Sequence, residues 1–230
     1  MSSPLIIALD LNNKEALKLA KKLDPKDCNL KVGSQLFTSG GPEIILKLKD
    51  LGFNIFLDLK FHDIPNTVNQ AVRSCLDLGI WMLNVHASGG AEMLQASTLP
   101  LKDKKQKPIL IGVTVLTSLD EASLEEVGIK KNLKNQVISL SKLCQKNGLD
   151  GVVCSAKEIK PLRRELGNEF ILVTPGIRKN QSVDDQKRFA TPVAAIESGA
   201  DYIVLGREVI FSKDPSLEIK EILEDISKIN

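Results

Sequence analysis

Eight short apolar runs rich in Val, Ile and Leu recur along the chain, at residues 5–10, 30–34, 55–60, 82–87, 109–116, 151–156, 170–176 and 202–207. Runs of this length that are apolar without alternation suit strands buried on both faces, as in a parallel sheet. Between them lie stretches with apolar residues at helical spacing. Residues 14–23 are apolar at 16, 17, 19, 20 and 23, and residues 66–78 at 68, 71, 72, 75, 76 and 78. Residues 42–51 open on Pro42, whose fixed φ suits a first helical position. Residues 134–147 run into Asn147-Gly148, a helix stop, and 217–229 form the last such stretch. Strand–helix alternation repeated in this way predicts an α/β fold, a (β/α)8 TIM barrel, as a single domain over residues 1–230. A doubly wound open sheet is the alternative. It usually holds fewer strands per domain, and no G-x-G-x-x-G follows the first run.

Composition narrows the function. The 31 basic and 29 acidic residues leave a net charge of +2, which argues against a nucleic-acid or membrane-surface protein. No apolar stretch approaches the ~18 residues of a membrane span. The first residues, Met1-Ser2-Ser3-Pro4, show no charged region followed by an apolar one, so no secretory signal is expected. The four cysteines, Cys28, Cys75, Cys144 and Cys154, are scattered and form no C-x-x-C pair. They read as buried small hydrophobes in a reducing compartment, and a soluble, cytoplasmic protein is expected. The charged stretch at 102–107 reads as a solvated loop.

In such a barrel, chemistry sits at the C-terminal ends of the strands. The third run ends in Asp58-Leu59-Lys60-Phe61-His62-Asp63. Strand alternation puts Asp58 and Lys60 on one face, and burying charges costs several kcal/mol each unless they are paired. A strand ending in Asp-x-Lys therefore reads as a site. Asp10 ends the first run and Lys31 lies in the second. Together, Asp10, Lys31, Asp58 and Lys60 would form a row of alternating carboxylates and ammoniums, each neutralised by its neighbours. The fifth run leads to Thr117-Ser118. The seventh ends in Thr174-Pro175-Gly176-Ile177-Arg178 and the eighth in Gly206-Arg207. Loops after these two strands commonly bind phosphate, with glycine admitting the backbone and arginine supplying bidentate bonds. The polar segment 179–191, which contains Gln186, is a candidate lid. The two histidines, His62 and His86, have no metal-ligand spacing and read as loop or packing residues. Trp81 and Tyr202 read as core or strand-flank residues.

These motifs resemble the orotidine 5′-phosphate decarboxylase family, in its compact bacterial form. The resemblance covers nearly the whole chain. It rests on Ala8-Leu9-Asp10, Lys31-Val32-Gly33, the long run from Asp58 to Asn66-Thr67, Asn84-Val85-His86-Ala87, Val115-Leu116-Thr117-Ser118, the Thr174 to Arg178 segment and Gly206-Arg207. It implies a homodimeric barrel that decarboxylates orotidylate to uridylate, the last step of de novo pyrimidine synthesis, with no metal or organic cofactor. It further implies that Lys60 donates the proton to C6 and that Asp58 lies beside the substrate carboxylate. Lys31 and Asp10 would hold the ribose, and Thr117 would face the pyrimidine. Arg178, Gln186, Gly206 and Arg207 would grip the phosphate. Asp63 and Thr67 would reach the neighbouring subunit's substrate. Ile64 and Pro175 join the substrate-binding set.

Two rivals remain at this point. Sugar-phosphate enzymes such as 3-keto-gulonate-phosphate decarboxylase and hexulose-phosphate synthase share Asp-x-Lys-x-x-Asp on the same barrel but use Mg²⁺. Here Lys31 and the run through Thr67 match the orotidylate enzyme instead. A barrel that only binds nucleotide phosphates would need the phosphate grip but not the charged row.

Overall fold

The computed structural model describes residues 3–102, 104–179 and 190–229. Eight parallel strands close into a barrel in sequence order: β1 (Leu5–Ala8), β2 (Asn29–Gly33), β3 (Ile55–Phe61), β4 (Met82–His86), β5 (Ile109–Val113), β6 (Gly151–Val153), β7 (Ile171–Thr174) and β8 (Tyr202–Leu205). The first and last strands pair directly, Leu5 opposite Ile203, which closes the ring. Helices pack outside it: α1 (Asn13–Ala20), α2 (Ser34–Asp50), α3 (Pro65–Asp77), α4 (Gly90–Thr98), α5 (Glu121–Glu126), α6 (Leu133–Lys146), α7 (Ile159–Leu166), α8 (Pro192–Glu197), α9 (Arg207–Ile210) and α10 (Pro215–Ser227).

Alternation along each strand divides the core in two. Leu5, Ile7, Leu30, Val32, Ile55, Leu57, Leu83 and Val85 share one buried cluster with helix residues such as Ala16, Leu36, Ile45 and Val72. Their neighbours Ile6, Ala8, Phe56, Met82, Ile111, Val173 and Val204 form a separate cluster that fills the barrel interior. Double-sided burial is the reason these strands are apolar throughout rather than at every second residue. Trp81 and Tyr202 pack against the interior cluster, their rings edge to face with centroids 5.1 Å apart.

The apolar runs outlast the strands. β1 ends at Ala8, β5 at Val113 and β7 at Thr174, so Asp10, Thr117 and Pro175 stand on the loops that follow. The expected helix from Pro42 is the second half of a longer one. α2 starts at Ser34, and Gly41 interrupts it with φ 58 and ψ −164, leaving Pro42 to restart the helix. All four cysteines are free and buried. Burial pushes their thiols up, to about 12 for Cys28, Cys144 and Cys154 and about 11 for Cys75, so they serve as packing groups. Among the described residues, no helix is long and apolar enough to cross a membrane.

Candidate active site

A cavity of about 360 Å³ opens at the C-terminal ends of the strands. Its floor is the top of the interior cluster, Ala8, Phe56, Val173 and Val204. Above that floor the interior-facing side of β3 turns polar, with Asp58 following Phe56, and Lys31 joins it from β2. Asp10, Lys31, Asp58, Lys60, Thr117, Pro175, Arg178, Gly206 and Arg207 all line the cavity. The folded chain thus brings together residues from six separate segments that the sequence singled out.

The charged row forms as expected. The Lys31 ammonium lies 3.5 Å from Asp10 Oδ1 and 3.1 Å from Asp58 Oδ2. The Lys60 ammonium lies 2.7 Å from Asp58 Oδ1. Burial pushes the Asp58 carboxyl up, but the Lys31 and Lys60 ammoniums outweigh it. Together with hydrogen bonds from Lys60 and Asn84, they hold the group below the ordinary carboxylate value. Gly33 leaves room for the row: a Cβ there would stand 3.2 Å from the Lys31 ammonium.

One part of this geometry was not visible in the sequence. Leu57 pairs with Leu83 and Phe61 with Val85, so β3 advances four residues while β4 advances two. The surplus forms a bulge that contains Lys60, whose φ is 53. Among the described residues it alone, apart from glycines, has positive φ. Such backbone is costly for a residue with a Cβ and clusters at functional sites. The buried Asn84 of β4 supports the bulge. Its Oδ1 accepts a 2.8 Å hydrogen bond from the Lys60 backbone N–H, and its Nδ2 donates a 2.6 Å bond to Asp58 Oδ1.

The opposite wall carries the two arginines. Gly176 adopts φ 75, turning the chain after β7. The Arg178 backbone N–H donates to Ala190 O at 3.0 Å. Lys179 is committed elsewhere: its N–H donates to Glu208 Oε2 at 2.7 Å, and its ammonium pairs with Glu221 at 2.6 Å and Glu218 at 3.4 Å. Gly206 caps α9, and Arg207 is exposed at its first turn. Val113, Val115, Leu116 and Val153 complete the apolar lining. The sequence offered no sign that Val113 and Val153 differ from any other core residue.

Three expected residues are not part of this lining. Asp63, Ile64 and Thr67 are exposed around the start of α3, and the Ile64 N–H donates to Asp63 Oδ1 at 2.6 Å. Gln186 lies outside the described residues. His62 and His86 pack ring to ring, with centroids 5.2 Å apart. Burial, then His62 and Lys60, hold His86 below the ordinary imidazole value against the opposing pull of Asp58. Among the described residues, no three His, Cys, Asp or Glu side chains converge as a metal-ligand group. Between Asp10 and Asp58, where a divalent cation would bridge two carboxylates, stands the Lys31 ammonium.

Comparison with known proteins identifies the family. Residues 3–222 match the family described as Orotidine 5'-phosphate decarboxylase / HUMPS family. The chain is 52% identical over 223 residues to the orotidine 5'-phosphate decarboxylase of Dichelobacter nodosus, covering 96% of this chain and 97% of that protein. It is 49% identical over 226 residues to that of Vibrio parahaemolyticus, covering 97% of each. The crystal structure of orotidine 5'-phosphate decarboxylase from Lactobacillus acidophilus superposes with a TM-score of 0.87 at 39% identity, covering 98% of this chain and 99% of that one.

Proposed function

Since this chain belongs to the orotidine 5'-phosphate decarboxylase / HUMPS family, we propose that it is a carboxy-lyase that converts orotidine 5′-phosphate to uridine 5′-phosphate and CO₂ in pyrimidine biosynthesis. The observation that carries this reading is the Lys60 ammonium, held 2.7 Å from Asp58 at a cavity whose other wall presents Arg178 and Arg207.

In this mechanism the bond from C6 to the carboxylate breaks, CO₂ leaves, and the electron pair stays on C6. That pair lies in the ring plane, where no π-system can delocalise it. A fixed ammonium stabilises it as it develops, and Lys60 then gives C6 a proton. Asp58 and Lys31 keep Lys60 in place, while Lys31 and Asp10 hold the ribose. Thr117 faces the pyrimidine, and Pro175 contacts the substrate. Arg178, Gln186, Gly206 and Arg207 take the phosphate, whose binding energy positions the ring. Charge stabilisation and proton delivery both come from side chains, so the proposed reaction needs no metal or organic cofactor. The Lys31 ammonium between Asp10 and Asp58 favours this reading over the Mg²⁺-dependent sugar-phosphate chemistry.

Asp63 and Thr67 are assigned to the partner's site of a homodimer, and Ile64 to the substrate-binding set. The exposure of Asp63 and Thr67 outside the cavity lining supports the cross-subunit assignment. Closure of the barrel between β1 and β8 supports a single domain over residues 1–230. The free cysteines support a cytoplasmic location.

The test is the ultraviolet absorbance change on mixing the purified protein with orotidine 5′-phosphate, with and without EDTA. Conversion to uridylate unaffected by EDTA is expected. No conversion, with Mg²⁺-dependent turnover of a sugar phosphate instead, would overturn the reading. The dimer assignment predicts that inactive Lys60→Ala and Asp63→Ala proteins regain turnover when their subunits are mixed. Each mixed dimer then holds one intact site. No recovery would place Asp63 in its own subunit's chemistry or outside it.

A further inference from the structure

We propose that Asn84 is a positioning residue for the reaction: its side-chain amide holds the Lys60 backbone and the Asp58 carboxylate together, and so fixes the reacting ammonium. The inference rests on the decarboxylase reading above.

The argument begins with the bulge. Where β3 gains its surplus residues, the regular exchange of backbone hydrogen bonds with β4 stops. The Lys60 N–H faces β4 there and bonds to the Asn84 side chain rather than to a backbone carbonyl. That bond secures a conformation, φ 53, which lysine avoids by itself. The same conformation, with the bulge, lets the Lys60 side chain line the cavity.

The other end of the amide is equally constrained. Asp58 Oδ1 accepts from Asn84 Nδ2 at 2.6 Å and faces the Lys60 ammonium at 2.7 Å. Asp58 Oδ2 faces Lys31 at 3.1 Å. The carboxylate is thereby fixed on three sides. The chemistry also settles which way the amide points, because the backbone N–H can only donate and the ionised carboxylate can only accept. Asn84 is 1% exposed and lies below the cavity lining, so it acts through Asp58 and Lys60.

A substitution that keeps shape and removes both bonds frees the backbone and the carboxylate at once. Misplacing a reacting group by about 1 Å costs on the order of 10²-fold in rate. The phosphate grip lies on the opposite wall and stays intact. The effect therefore falls on kcat and not on binding.

The experiment compares Asn84→Leu and Asn84→Asp with the parent for kcat, KM and uridylate affinity between about pH 5 and 8. Asn84→Leu is expected to lose about 10²-fold in kcat at every pH, with KM and uridylate affinity within about threefold of the parent. Asn84→Asp is expected to lose at least as much at pH 8, where a second carboxylate would repel Asp58. It should recover relative to the parent as pH falls, because the new carboxyl, once protonated, donates to Asp58 as the amide did. The inference is overturned by a kcat in Asn84→Leu within about threefold of the parent. It is also overturned if uridylate affinity falls in step with kcat, which would mark general damage to the barrel mouth. Should Asn84→Leu fail to fold, the isosteric Asn84→Asp decides: recovery at low pH supports the role, and a flat ratio to the parent overturns it. A parent that does not turn over orotidine 5′-phosphate overturns the decarboxylase reading and this inference with it. An active parent beside an unaffected Asn84→Leu overturns this inference alone.

Discussion

The two ends of the barrel both hold partly buried charge, and they use it differently. At the N-terminal end Arg163 donates to the backbone carbonyls of Gly167, Phe170 and Gly199 and pairs with Asp201 at 2.5 Å. Asp201 also accepts from the Leu172 N–H of the neighbouring strand at 2.7 Å, and Asp150 takes the Leu110 N–H in the same way at 2.8 Å. These charges tie backbone to backbone. At the C-terminal end Lys31, Asp58 and Lys60 bond mainly to one another, around a cavity, and Lys60 stays 35% exposed. Charge that satisfies the main chain maintains the fold. Charge that mainly satisfies other charge, beside an opening, is available for a substrate.

The comparison is sharpest where one end can be damaged without the other. Arg163→Ala leaves Asp201 without its ion pair and strips donors from the carbonyls of Gly199 and Phe170. It is expected to lower the unfolding free energy by about 3 kcal/mol, measured by urea denaturation, while kcat of the folded protein stays within about twofold. A large loss of kcat in a stable variant would break the division.

Arg207→Ala probes the other end. Hydrogen bonds to charged groups contribute about 1.5–3 kcal/mol, so kcat/KM for orotidine 5′-phosphate should fall about 10- to 100-fold. Arg207 is exposed, and stability should stay within about 0.5 kcal/mol of the parent. An unchanged kcat/KM would remove Arg207 from the phosphate site.

The smallest effect is in acid. The Asp58 carboxyl is held below its unfolded value, so it contributes stability that is present above about pH 4 and lost as pH falls through the folded value. Asp58→Asn should therefore flatten the fall in unfolding free energy below about pH 4. An unchanged acid slope would mean that the row contributes nothing to the pH dependence of folding.

The strands were legible because burial on both faces writes itself as uninterrupted Val, Ile and Leu. The charged row was legible for the same reason, since Asp58 and Lys60 interrupt such a run. The role of Asn84 was not. The residue stands in a motif that carries the family resemblance, but nothing in that motif says what its side chain does, because its role comes from a bulge in a different strand. The surplus of residues in β3 keeps Asp58 and Lys60 on the cavity side, so simple alternation gave the right face while hiding the left-handed backbone at Lys60. The first half of α2 was missed because Ser34-Gln35-Leu36-Phe37-Thr38-Ser39 carries little helical pattern and Pro42 marked a later start.

The most direct measurement takes Lys60→Gly and determines both its turnover of orotidine 5′-phosphate and its unfolding free energy. Glycine removes the ammonium but leaves Asp58 paired with Lys31 at 3.1 Å and bonded to Asn84 at 2.6 Å. It also relieves the positive φ, whose cost of about 1–2 kcal/mol roughly offsets the backbone entropy glycine adds. The account predicts a loss of kcat of about 10³-fold or more, with stability within about 1 kcal/mol of the parent. Retained turnover, or a stability loss well beyond that margin, would mean that Lys60 is there to hold the barrel together and not to act on a substrate.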